Sequence, residues 1–301
     1  MRKTHLLLMV LFSFFSCTKK ETIYVNEHEN QVIDDNTAPP LSAVTTLQIQ
    51  NYVNKAYIDL LGREPNDTEL STQSDLLKNN GLGDSAREIL LNNLINTDAY
   101  YRRFFDIYRR DFLNGVLQSQ IDELVFTLEF FYDQYQDDPD PALQVIAGLI
   151  LIELEKMEDL QNATTDYQAG TININEFMAR MINNEVYNEI NMGSENFVIA
   201  AFNNLLKRNP TVAELERGIT MVDGQSAQLL LQDGTNKDDF AAIVTSNLEF
   251  YQGLTFDIYN TLLARDPSSV EMDASTFNFN NNQDFQLIQK IVMKSEEYVG
   301  F

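Results

Sequence analysis

Past residue 28 this chain contains no cysteine and no histidine; Cys17, His5 and His28 are the complete set. Thiol nucleophiles, histidine-based triads, zinc sites and haem ligation are therefore excluded downstream. The remaining candidates for chemistry are carboxylates. The most regular are glutamates placed after an arginine and a proline: Arg63, Pro65, Glu69; Arg208, Pro210, Glu214; Arg265, Pro267, Glu271. Such glutamates could serve as acid–base groups in a carboxylate-dependent hydrolase. The same spacing has a second explanation. Asn66-x-x-Glu69, Thr211-x-x-Glu214 and Ser268-x-x-Glu271 have the form of a capping box, in which the first side chain and the glutamate each bond the other's backbone N–H. These nine residues are read as a structural motif. Two acidic stretches, Asp137–Asp140 and Asp233–Asp239, are weighed as calcium loops, but neither has the ordered Asp-x-Asp-x-Asp-Gly spacing. No metal site and no cofactor is expected.

The elements that carry the motif repeat. Tyr52-Val53, Ala56-Tyr57 and Leu60-Leu61 precede Arg63; Phe197-Val198, Ala201-Phe202 and Leu205-Leu206 precede Arg208; Leu254, Ile258-Tyr259 and Leu262-Leu263 precede Arg265. Each run has helical spacing, and each proline then ends the helix. Thr97-x-x-Tyr100, Asn184-x-x-Tyr187, Asn247-x-x-Phe250 and Ser295-x-x-Tyr298 each place a capping residue before an aromatic. In 98–113, Tyr101, Phe104, Phe105, Tyr108 and Phe112 make one apolar stripe, read as packing. Phe105-Asp106-Ile107-Tyr108 repeats Phe256-Asp257-Ile258-Tyr259 letter for letter. The expectation is an all-α fold of tandem short-helix bundles. It has four units in two blocks, 47–190 and 194–301, with the second unit degenerate and enlarged by an insertion at about 114–175.

A formal charge of −24 argues against nucleic acid and against a polybasic hold on anionic lipid. The first residues point to a membrane by another route. Arg2 and Lys3 precede the apolar run Leu6–Phe15, too short to span a bilayer, which needs roughly 20 residues. The run ends in Ser16-Cys17, so residues 1–17 resemble a bacterial lipoprotein signal peptide with Cys17 as the lipidated residue. Phe14 departs from the usual aliphatic residue. Thr18 after the cysteine implies sorting to the outer membrane. Residues 18–46 are polar and acidic and read as a flexible tether.

The run aromatic-x2-Leu-Leu-x-Arg-x-Pro-x3-Glu, followed by a cap and an aromatic, resembles a helical domain of unknown function repeated in secreted bacterial proteins. That family is similar to the phycobilisome linker domain. The resemblance covers 52–101, 197–251 and 254–301, and weakly 104–113 and 177–187. It implies an extracellular, non-catalytic interaction module; pigment attachment is not implied, because the folded region has no cysteine. The insertion departs from the family. It holds Phe126, Phe130, Phe131, Tyr132 and Tyr135, then an apolar helix from Ala142 to about Leu160. That helix reads as buried core, with the aromatics packed beneath it; a partner-binding surface is the alternative.

The functional expectation is a non-enzymatic outer-membrane lipoprotein, a scaffold for an envelope or secreted protein partner. The alternative is a glycan- or peptide-binding lipoprotein of an uptake system, drawn from 13 Tyr and 19 Phe.

Overall fold

Apolar residues three and four apart dictate the first helix. α1 (Thr46–Leu61) buries Ile49, Tyr52, Val53, Ala56, Tyr57 and Leu60, and a capping box at Thr45 with Gln48 starts it. Gly62, at φ +69, ends it in the left-handed conformation that favours glycine. This is a computed structural model describing residues 44–301. Cys17, His28 and most of the tether lie outside the described residues.

The described residues are all-α, with one small sheet. After α1 come α2 (Asp67–Asn79), α3 (Asp84–Ile95), α4 (Asp98–Phe112), α5 (Gln118–Tyr135), α6 (Pro141–Ala169), α7 (Ile174–Ile182) and α8 (Glu185–Ile190). Then follow α9 (Ser194–Ala201), a π turn (Phe202–Leu206), α10 (Val212–Val222), α11 (Lys237–Thr245), α12 (Leu248–Leu263), α13 (Ser269–Asn282), α14 (Phe285–Lys294) and α15 (Glu296–Val299). Between α10 and α11 the antiparallel pair β1 (Ala227–Leu229) and β2 (Gln232–Gly234) turns through Leu230 and Leu231, both at positive φ.

The stripe on α4 forms the hub. The Phe104 ring lies 5.4 Å from Tyr167 of α6, 5.0 Å from Phe177 of α7 and 4.9 Å from Phe285 of α14. Phe105, Tyr108 and Phe112 are also buried, and Tyr101 is half-buried.

Contacts cross the boundary expected near 190. The Tyr52 hydroxyl of α1 donates to the Met293 carbonyl, and the Tyr298 hydroxyl donates to Asp59 at 2.6 Å. Arg87 of α3, only 5% exposed, donates to the Lys294 carbonyl and to Glu296. The described residues, 44–301, cluster as one unit.

The insertion departs from expectation. α5 and α6 form a helical hairpin, and α6 starts with Asp140 as cap and a proline in its first turn. Its later half is buried at Leu154, Met157, Leu160, Ala163 and Tyr167. Its first half is not buried core: Val145 is 66% exposed and Leu149 61%, and Ile146 and Ile152 are open as well. Nor do the aromatics pack beneath it. Phe126 is 66% exposed and Phe130 57%, and Phe131 is also open; Tyr132 and Tyr135 are half-buried. The physical reason is reach. The outer turns of the hairpin extend past the body, so α5 alone covers them on one side.

Candidate functional site

The three Arg-x-Pro motifs share one local geometry. Arg63 grips both oxygens of Glu69 at 2.8 and 2.7 Å, Arg208 those of Glu214 at 2.8 and 2.7 Å, and Arg265 those of Glu271 at 3.0 and 2.9 Å. Each arginine also donates to the carbonyl of the next residue, Glu64, Asn209 or Asp266. Each guanidinium sits over a ring of the preceding helix: Tyr57 at 5.4 Å, Phe202 at 5.3 Å, Tyr259 at 5.5 Å. The capping boxes at Asn66, Thr211 and Ser268 are formed, so each glutamate also accepts a backbone N–H. Pro65, Pro210 and Pro267 stand in the short turn between the two helices.

These bonds fix the protonation of the glutamates. The arginine, aided by the capping N–H, holds Glu69, Glu214 and Glu271 down to about 2. A carboxylate ionised at every ordinary pH and committed to two donors is a poor proton carrier. The copies differ in one respect. Arg208 and Arg265 each hold a second glutamate, Glu249 and Glu297, supplied by the first turns of α12 and α15. The matching position after Thr97 is Ala99, which lines a hollow beside Arg63.

The candidate acidic loops are spent on turns. Asp140 caps α6 and donates its N–H to Asp138; Asn236 caps α11, and Asp239 accepts from the Thr235 N–H.

The hairpin carries an open apolar surface. α6 has no charged residue from Pro141 through Ile152. On α5, Phe130 and Phe131 meet edge-on at 5.5 Å, and Phe131 stacks on Tyr135 at 5.9 Å. The open side chains fall on the two outer sides of the hairpin: Phe126 and Phe130 lie on α5 opposite the stripe packed on α6, and Val145, Leu149 and Ile152 lie on α6 opposite the stripe packed on α5. Each side leaves on the order of 300 Å2 of apolar surface. Its rim is acidic: Glu129, Asp133, Asp137, Asp138 and Asp140. No helix among the described residues is long and apolar enough to cross a membrane.

A second feature is a cavity of about 250 Å3 where α1, α4, the π turn, α12 and α14 converge. A backbone approach builds it. A Cβ at Gly253 would stand 2.3 Å from the Leu205 carbonyl oxygen, so only glycine lets α12 lie against the π turn. Lys207 follows that turn at φ +56 and reaches Asp257, one turn past Gly253, at 2.7 Å. Asp59 and Asp111 also line the cavity, over a floor that includes Phe104, Tyr108 and Phe285. Burial raises the Asp257 carboxyl above its ordinary value despite Lys207, and Asp111 nearby adds to the shift. Burial likewise raises Asp59, against the hydrogen bond from Tyr298.

No family model, no curated protein and no solved structure matches this chain. The site residues therefore stand on geometry alone. Of those singled out in the sequence, the structure gathers the nine motif residues into three separate clamps and puts the five aromatics on one helix. Sequence reasoning missed Asp59, Asp111, Lys207 and Asp257. One signal was present: Asp257 lies in the four-residue match to 105–108, yet its counterpart Asp106 pairs with Arg109 instead.

Proposed function

We propose that this protein is a lipid-anchored, non-enzymatic helical scaffold of the cell envelope, and that its α5–α6 hairpin docks an envelope or secreted protein. The observation that carries this reading is the hairpin's open apolar surface, Phe126 and Phe130 on the outer side of α5 and Val145, Leu149 and Ile152 on that of α6. Burying one side, about 300 Å2, at about 25 cal/mol/Å2 gives on the order of 7 kcal/mol before the costs of association, which cancel much of it. Hot spots of this kind are commonly aromatic, as Phe130 is. The acidic rim calls for a partner whose apolar contact is edged with Lys and Arg.

Anchoring rests on the sequence of residues 1–17 and on Cys17. The resemblance of the Arg-x-Pro units to the helical domain of secreted bacterial proteins supports the same reading. The glycan alternative has less behind it: rings such as Tyr52, Tyr100, Tyr187, Phe177 and Phe250 are buried and offer no face to a sugar, which leaves open rings such as Phe126 and Phe130.

The test is crosslinking in the native cells from position 126 or 145, compared with the double variant Phe130→Asp, Leu149→Asp. One stoichiometric protein crosslinked by the parent and lost in the variant, with melting unchanged, is the expected result. An identical crosslinking profile for both proteins would refute docking at the hairpin. Separately, Cys17→Ala should release the protein from the membrane fraction; retention in full would refute the anchor.

A further inference from the structure

The cavity between α1, α4, α12 and α14 is independent of the hairpin and has its own chemistry. Its lining holds three carboxylates, Asp59, Asp111 and Asp257, against one ammonium, Lys207, which is paired with Asp257; from outside the lining Arg110 bonds Asp111 at 3.2 Å, and Tyr298 donates to Asp59. Burial disfavours the charged form of Asp257, and Asp111 adds like-charge repulsion to it. A cation between Asp111 and Asp257 relieves that repulsion and favours the charged form of both. An anionic ligand would meet the same carboxylates and the field of a chain at −24. A sugar would need an open ring face, but Phe104, Tyr108 and Phe285 are at most 7% exposed. About 250 Å3 falls below the roughly 300–1,000 Å3 of drug-sized sites, which limits the ligand to a small one.

We propose that this cavity binds an organic cation, a primary ammonium or guanidinium on a short apolar body. The charged end lies between Asp111 and Asp257, and the apolar end rests against Phe104 and Phe285. Two sources share this chemistry: a free amine, and a Lys or Arg side chain inserted by a partner.

The experiment is calorimetric titration of the full chain in detergent with phenethylamine, with neutral 2-phenylethanol, and with the peptide acetyl-Gly-Lys-Gly-amide. Saturable binding of at least one cationic probe, with the alcohol at least tenfold weaker, is expected. Asp111→Asn, at an exposed carboxylate, should weaken the cation by about tenfold with an unchanged melt. Thr261→Trp, on the cavity wall, should abolish binding. Phenethylamine alone binding assigns a free amine; the peptide alone assigns a partner side chain. No binding of either cation at millimolar concentration overturns the proposal. So does equal binding of alcohol and amine, or an Asp111→Asn variant that binds as the parent does.

Discussion

Two of the three arginine clamps hold two carboxylates and one holds a single carboxylate, which makes Ala99→Glu a direct test of what the second contributes. Arg208 reaches Glu249 and Arg265 reaches Glu297 through groups that Arg63 leaves without a carboxylate, and Ala99 stands at the equivalent place. The site is exposed, with the Arg63 side chain 48% accessible, so an added pair is worth about 0.2–1 kcal/mol. Position 99 lies in the first turn of α4, where an acid gains about 0.3–1 kcal/mol from the helix dipole. Replacing alanine in a helix costs a few tenths of a kcal/mol. The net expectation is a gain of about 0.5–1 kcal/mol, a melting shift of about 1–4 °C for a body of this size. Equilibrium denaturation followed by far-ultraviolet circular dichroism reads it. Repeating the substitution in an Arg63→Met background separates the terms. With the arginine absent, only the dipole part should remain, and molar salt should shrink the difference. The clamp argument fails if Ala99→Glu gains equally with and without Arg63, or if it destabilises the parent.

Other outcomes follow from named contacts. Gly253→Ala should cost about 2 kcal/mol or more, because its Cβ meets backbone at Leu205, whereas Gly148→Ala, in open space on α6, should gain about 0.5–1 kcal/mol; paired urea melts check both. Phe104→Ala should cost about 3–5 kcal/mol by emptying the hub, read as an earlier cooperative transition. On acidification, Glu69, Glu214 and Glu271 have folded values near 2, below the unfolded 4.5, so their contribution is complete above about pH 4.5 and is lost towards pH 2. Asp59 and Asp257 act oppositely: raised above 3.8 in the fold, they favour folding as pH falls through their folded values. Melts across pH should therefore hold or rise slightly before they collapse, and Glu214→Gln should blunt the collapse; a steady fall from neutral pH would contradict this assignment.

The helices and their starts were legible because they rest on local chemistry. The boxes at Asn66, Thr211 and Ser268, the stops at the prolines and the stripe on α4 all involve residues within one or two turns. The outer half of α6 was not legible. A helix apolar all round reads as buried, and nothing local tells that the hairpin projects beyond the body. The β1–β2 turn uses Leu230 and Leu231 at positive φ, where the usual signal is Gly or Asn, so it carried no mark. The cavity escaped for a further reason. Asp59, Asp111, Lys207 and Asp257 come from distant stretches of chain, and their meeting depends on Gly253, a residue that looks like any other glycine within a helix.

The bond from Tyr52 to Met293 spans 241 positions, and it sets an order of events for a growing chain. α1 packs on α2, α3 and α4, which follow it directly, but the Tyr52 hydroxyl, Asp59 and the buried Arg87 find their distant partners only once residues 285–301 have emerged. Through most of synthesis those three polar groups lack these mates. Final closure is a non-local step, which slows folding. A cut ahead of α14 that removed the last helices would leave Arg87 buried without its Lys294 and Glu296 acceptors, so the N-terminal helices carry a chemical record of whether the chain was finished.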